Sequence, residues 1–77
     1  LNHILIYPNP ANNVLNINSF EKLNNLVVRD LTGRVILSKN PLSSDFSIDI
    51  SSLSNNIYFI ECHSENGLSI HKIIISD

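Results

Sequence analysis

Apolar and polar positions alternate in short runs along this chain. Leu15 and Ile17 alternate with Asn16 and Asn18, Leu26 and Val28 with Val27 and Arg29, and Phe46, Ile48 and Ile50 with Ser47 and Asp49. A period of two residues marks a strand with one buried face. Between Ile57 and His63 it places Tyr58, Ile60 and Cys62 on one face and Ile57, Phe59, Glu61 and His63 on the other; the first is the better core face. His3 to Tyr7 and Leu68 to Ile75 are apolar on both faces, as expected for strands covered by neighbours or lying beside another chain. The pattern predicts that Leu15, Ile17, Leu26, Val28, Ile48, Ile50, Tyr58, Ile60 and Cys62 face one another, because a slip of one residue would expose an entire apolar set.

Turn chemistry separates these runs. Pro8-Asn9-Pro10 ends the first strand by removing two backbone donors and fixing two φ angles, and Asn12-Asn13 follows with residues that tolerate the left-handed region. In Asp30-Leu31-Thr32-Gly33 the carboxylate can accept backbone N–H bonds while Gly33 takes positive φ, which predicts a hairpin from Leu26 to Ser38. Asn66-Gly67 suits a type I′ turn linking the last two strands. Lys39 to Asp45 reads as a loop, and Ser51 to Asn56 as a connection long enough to cross between two sheets. The sum is an all-β chain of about seven strands in a compact, immunoglobulin-like antiparallel β-sandwich, smaller than the ~100 residues such modules normally take.

Size and composition narrow the function. The 77 residues allow a single domain, 1–77, with no internal boundary. A chain this short buries only ~60% of the surface it exposes when unfolded, which disfavours a deep pocket and a self-contained enzyme. Ile is abundant while alanine occurs only at Ala11, an imbalance that favours strands over helices. The net charge of -2 and the lack of a basic run argue against nucleic acid as a partner. No segment approaches the ~18 apolar residues of a membrane helix, so stable membrane insertion is not expected. The chain begins at Leu1 and contains no Met, from which we expect a piece of a larger protein, with any export signal upstream.

Residues capable of chemistry are present but scattered. Serines sit mostly in turns, without the glycine pattern of a nucleophile elbow. His3, His63 and His71 fall on three different strands, and no pair has a metal-ligand spacing. Cys62, on the core face, reads as a small buried hydrophobe. No catalytic, metal or cofactor residues are therefore assigned. A sugar-binding or adhesion module is the rival reading, with Tyr7 and Phe59 as the available platforms; there is no Trp, and Tyr58 is better placed as core or as a corner tyrosine bonded to backbone.

Four blocks stand in order along the chain: Tyr7-Pro8-Asn9-Pro10-Ala11; Leu26 to Val35, with Asp30, Gly33 and Arg34; Leu53 to Ile60, with Tyr58; and Lys72-Ile73-Ile74. Together they resemble the type A C-terminal sorting domain of the type IX (Por) secretion system of Bacteroidetes, over nearly the whole chain. Two positions depart from that pattern: Asn56 stands where a Gly commonly precedes the Tyr, and Arg29 where an aromatic commonly precedes Asp30. Asn56 tolerates the positive φ that such a Gly would take. The resemblance implies an address and not a catalyst. It implies a domain at the end of a secreted cargo that passes the periplasm, is recognised by the outer-membrane type IX translocon, and is usually removed by a surface sortase-like protease. It further implies that the last segment, Gly67 with Lys72, Ile73 and Ile74, carries translocon recognition. The apolar run Ile70 to Ile75 suits edge pairing with a receptor strand.

Overall fold

A computed structural model describes residues 3–77. The chain forms β1 (Ile4–Tyr7), β2 (Val14–Leu23), β3 (Asn25–Arg29), β4 (Val35–Lys39), β5 (Ser43–Asp49), β6 (Asn56–Ser64) and β7 (Gly67–Ile75), with no helix among the described residues. Two antiparallel sheets, ordered β1-β2-β5 and β4-β3-β6-β7, face one another. With the strands read in order as A, B, C, C′, E, F and G, this is the A-B-E sheet of an immunoglobulin fold packed on a C′-C-F-G sheet. Ser51 to Asn55 carries the chain from β5 to β6 and so from one sheet to the other.

The nine core residues expected from alternation are all buried, and Ala11, Leu23, Ile73 and Ile75 complete the cluster. Each large apolar side chain withdrawn from water in this way stabilises the fold by roughly 1.5–3 kcal/mol. Cys62 is enclosed among them, and burial pushes its thiol up to about 11, which leaves it protonated and inert as a nucleophile at neutral pH.

Three local details differ from the sequence expectation. First, β2 runs on past Asn18 to Leu23 and β5 begins at Ser43, inside the expected loop. Their pairing shifts register between Asn18 and Leu23, and in that stretch Ser19 is buried while Phe20 is 79% exposed. The Ser19 hydroxyl is satisfied there by the Glu21 N–H at 3.1 Å. Second, Ser64 and Gly67 face each other across the β6–β7 turn, so Glu65 and Asn66 form its tip and no type I′ turn centred on Asn66-Gly67 exists. The Asn66 N–H bonds to Ser64 Oγ (3.1 Å), and its side chain donates to Glu21 on β2 (2.7 Å), which holds the tip in this form. Third, Leu42 alone among the described non-glycine residues has positive φ; Asn56 does not, and its Oδ1 instead accepts the Ile57 N–H at 2.8 Å.

The β3–β4 turn follows the expected chemistry. Asp30 Oδ1 accepts bonds from the Thr32 N–H (2.9 Å), the Thr32 hydroxyl (2.7 Å) and the Arg34 N–H (3.0 Å), while Gly33 has φ 88°. The Thr32 hydroxyl, followed by the backbone donors, holds the Asp30 carboxyl below its ordinary range. Nothing lies near where a Cβ on Gly33 would point, so strain there comes from φ alone. Gly33→Ala is expected to destabilise the domain by about 1 kcal/mol, seen as a lower urea midpoint at unchanged slope. An unchanged midpoint would contradict the left-handed turn.

Candidate functional site

The blocks that are far apart in sequence meet at one end of the sandwich. There β3 gives way to the Asp30–Arg34 turn, β6 begins beside the end of β7 (Asn56 opposite Ile75), and Ala11 forms a parallel bridge to Ile75. Asp30, Arg34, Leu53 and Tyr58 line a shallow groove of ≈ 290 Å³ together with Ile36, Ser52, Ser54 and Asn56. Arg34 Nε reaches Asp30 Oδ2 at 3.3 Å, while the neighbouring Arg29 donates from Nη1 to the Gly33 carbonyl at 3.0 Å. The turn is thus clamped by its own charged side chains.

Tyr58 sits at the base of this groove. Its ring is buried in the core, and its hydroxyl donates to the Ser54 carbonyl at 2.8 Å and lies 3.2 Å from Ser54 Oγ. This is the corner tyrosine of immunoglobulin-like folds, which ties the start of strand F to the connection before it. Leu53 packs against the core, and its N–H closes a turn onto the Ile50 carbonyl at 3.0 Å. Of the four, Arg34 alone is well exposed.

The first block is placed at the same end but on an edge. Pro8 and Pro10 flank Asn9, whose side chain bonds the backbone of β7: the Ile74 N–H donates to Asn9 Oδ1 at 3.0 Å, and Asn9 Nδ2 donates to the Lys72 carbonyl at 3.4 Å. Tyr7 lies on the outer face of the β1-β2-β5 sheet, 49% exposed, in register with Asn16.

The expected recognition residues on β7 are split by the fold. Lys72 and Ile74 project from the outer face of their sheet, with Lys72 opposite Phe59 and Ile74 opposite Ile57. Lys72 makes no ion pair among the described residues. Ile73 is 1% exposed and packs in the core, so no partner can touch it on the folded domain. Gly67 opens β7 at the opposite end of the sandwich, roughly 17 Å from Lys72 at the rise of a strand. The edge of β7 from Lys72 to Ser76 is also occupied, by Asn9 and Ala11, so the expected edge pairing of Ile70 to Ile75 is not available along that whole run. Sequence reasoning missed Asn9 as a contact of the last strand, since a polar residue between two prolines reads locally as a turn former.

Groups capable of catalysis do not converge. Among the described residues no three of His, Cys, Asp and Glu approach closely enough to hold a metal. His63 lies 3.3 Å from Glu61 on the outer face, beside the Arg29–Glu61 ion pair at 2.5 Å. Bonding by Arg29 first, and by His63 after it, lowers the Glu61 pKa. His71 faces inward with its Nε2 2.9 Å from Ser69 Oγ, and burial lowers its pKa. The two candidate sugar platforms lie on opposite outer faces, Tyr7 on one sheet and Phe59 on the other, and so cannot form one binding surface.

What remains is a small β-sandwich with its distinctive residues gathered at one end and no assembled active site among the described residues. The family described as the secretion system C-terminal sorting domain matches residues 5–76, and the chain belongs to that family. It is also 38% identical, over 73 residues, to beta-agarase D of Zobellia galactanivorans; the match takes in 94% of this chain and 15% of that protein. As a type IX sorting domain the chain is a secretion signal and not itself a catalyst, and its family implies a secreted or cell-surface protein.

Proposed function

We propose that this domain is the terminal address of a larger secreted protein, with the cargo preceding it in the same chain. The outer-membrane type IX translocon recognises the folded sandwich, the cargo follows it across, and a surface sortase-like protease then removes the domain. The observation that carries this reading is the family match across residues 5–76, together with the gathering of the shared blocks at one end of the fold. A folded surface can act as an address without any chemistry, which agrees with the scattered histidines and the buried Cys62. Within that end, Lys72 and Ile74 are the exposed β7 residues available to a receptor, with Arg34, exposed but paired to Asp30, as a second surface cation.

Fused behind a periplasmically exported reporter in a Bacteroidetes host, the domain is expected to send the reporter to the surface or medium. Deleting Ser69 to Asp77 should trap it in the periplasm. Because that deletion also removes core residues Ile73 and Ile75, Lys72→Ala at unchanged stability is the sharper variant, with reduced export expected. An intact fusion that stays periplasmic, where another sorting domain exports the same reporter, overturns the proposal.

A further inference from the structure

β7 is the outermost strand of its sheet. In an antiparallel pair, successive residues turn their backbone groups alternately toward and away from the partner strand. The bonds made by Lys72 and Ile74 to Asn9 show that they turn away from β6, so by alternation Leu68 and Ile70 do too. A row of this kind is a template on which another strand can grow. Its side chains make the template more hazardous: Leu68 is 53% exposed and Ile70 58% exposed, with Ile74 also at the surface. Two copies of β7 laid antiparallel, Leu68 against Ile74 and Ile70 against Lys72, would pair every outward group of that run and stack the apolar side chains.

The end of the row is already filled by a segment that belongs to no strand. The Lys72 carbonyl and the Ile74 N–H are taken by the Asn9 side chain, the Ile74 carbonyl by the Ala11 N–H (2.9 Å), and the Ser76 N–H by the Ala11 carbonyl (2.8 Å). A carboxamide has the donor and acceptor of a peptide group, so Asn9 stands in for one residue of a neighbouring strand. The prolines on either side supply no N–H, so this cover does not itself present a continuous new edge. Among the described residues only Leu68, Ile70 and the Lys72 N–H are left open on that edge.

We propose that Asn9 is an edge latch: it closes the Lys72 carbonyl and the Ile74 N–H of β7 against strand addition, Ala11 closes the rest of the edge to Ser76, and the strand excluded is β7 of a second copy of this chain. With the latch shut, neither the Leu68–Ile74 nor the Ile70–Lys72 pairing can form completely. This assignment does not rest on the sorting reading.

Amide hydrogen exchange of the 77-residue chain by NMR, with the association state measured by sedimentation over a range of concentrations, tests it. In the unmodified chain the Ile74 N–H is expected to exchange more slowly than the Leu68 and Ile70 N–H groups on the same edge. Asn9→Ala should speed Ile74 exchange about tenfold relative to Ile73, the equivalent of one ordinary hydrogen bond, and should shift the chain from monomer toward dimer with concentration. Asn9→Asp keeps the Oδ acceptor and should retain the Ile74 protection. Ile74 exchanging as fast as Ile70 in the unmodified chain overturns the latch, and that measurement needs no variant to fold. An Asn9→Ala chain that folds but stays monomeric overturns the guard against a second copy.

Discussion

Ile60→Ala is expected to lower the unfolding free energy by about 2–5 kcal/mol. Ile60 is fully buried at the centre of β6, opposite Val28 on one side and His71 on the other, with its side chain in the core between the sheets. Truncation removes apolar surface and leaves a cavity that strands paired on both sides cannot close. A domain of 77 residues has a total stability of roughly 4–12 kcal/mol, so the loss takes a large share of it. Urea denaturation should show a much lower midpoint at an unchanged slope. A change under 1 kcal/mol would mean that the two sheets do not pack through this residue.

Tyr58→Phe is expected to cost about 1–3 kcal/mol, although it deletes a single oxygen. The ring and its packing remain, so the whole effect falls on the hydroxyl, which satisfies the Ser54 carbonyl at 2.8 Å in a half-buried corner. Phenylalanine leaves that acceptor without its partner and frees the connection between the sheets. Ser54→Ala removes only the longer 3.2 Å contact and should cost less. Equal midpoints for Tyr58→Phe and the unmodified chain would show that the corner contributes nothing. The corner also forms the floor of the groove beside Asp30 and Arg34.

Alternation and turn chemistry made most of the architecture legible. Each strand that carries a strict period of two, such as Phe46 to Ile50 or Ile57 to His63, buries the face its apolar residues define, because only one face of a packed sheet escapes water. Where the period lapsed, the reading lapsed with it. The sequence Ser19-Phe20-Glu21 carries no alternation that would announce a strand, yet the chain stays extended there because Ser19 pairs with Ile4 of β1, the Phe20 N–H donates to the His3 carbonyl at 3.0 Å, and β5 pairs again at Leu23. Asn66-Gly67 shows the converse: a strong local turn signal gave way by one residue once Glu21, far away in sequence, bonded the turn tip.

By itself the sequence determined the all-β class, the strand count, the inward-facing residues, the Asp30–Gly33 turn and the family-specific blocks, since each depends on neighbours within a few positions. The tertiary structure alone decided which of those blocks meet. Asn9 and Ile74 are 65 residues apart, and nothing local to either reveals that one caps the other. The same holds for Lys72 and Ile73, adjacent in sequence yet exposed and buried respectively, because successive side chains on a strand point to opposite faces and only the second sheet defines which face is the interior.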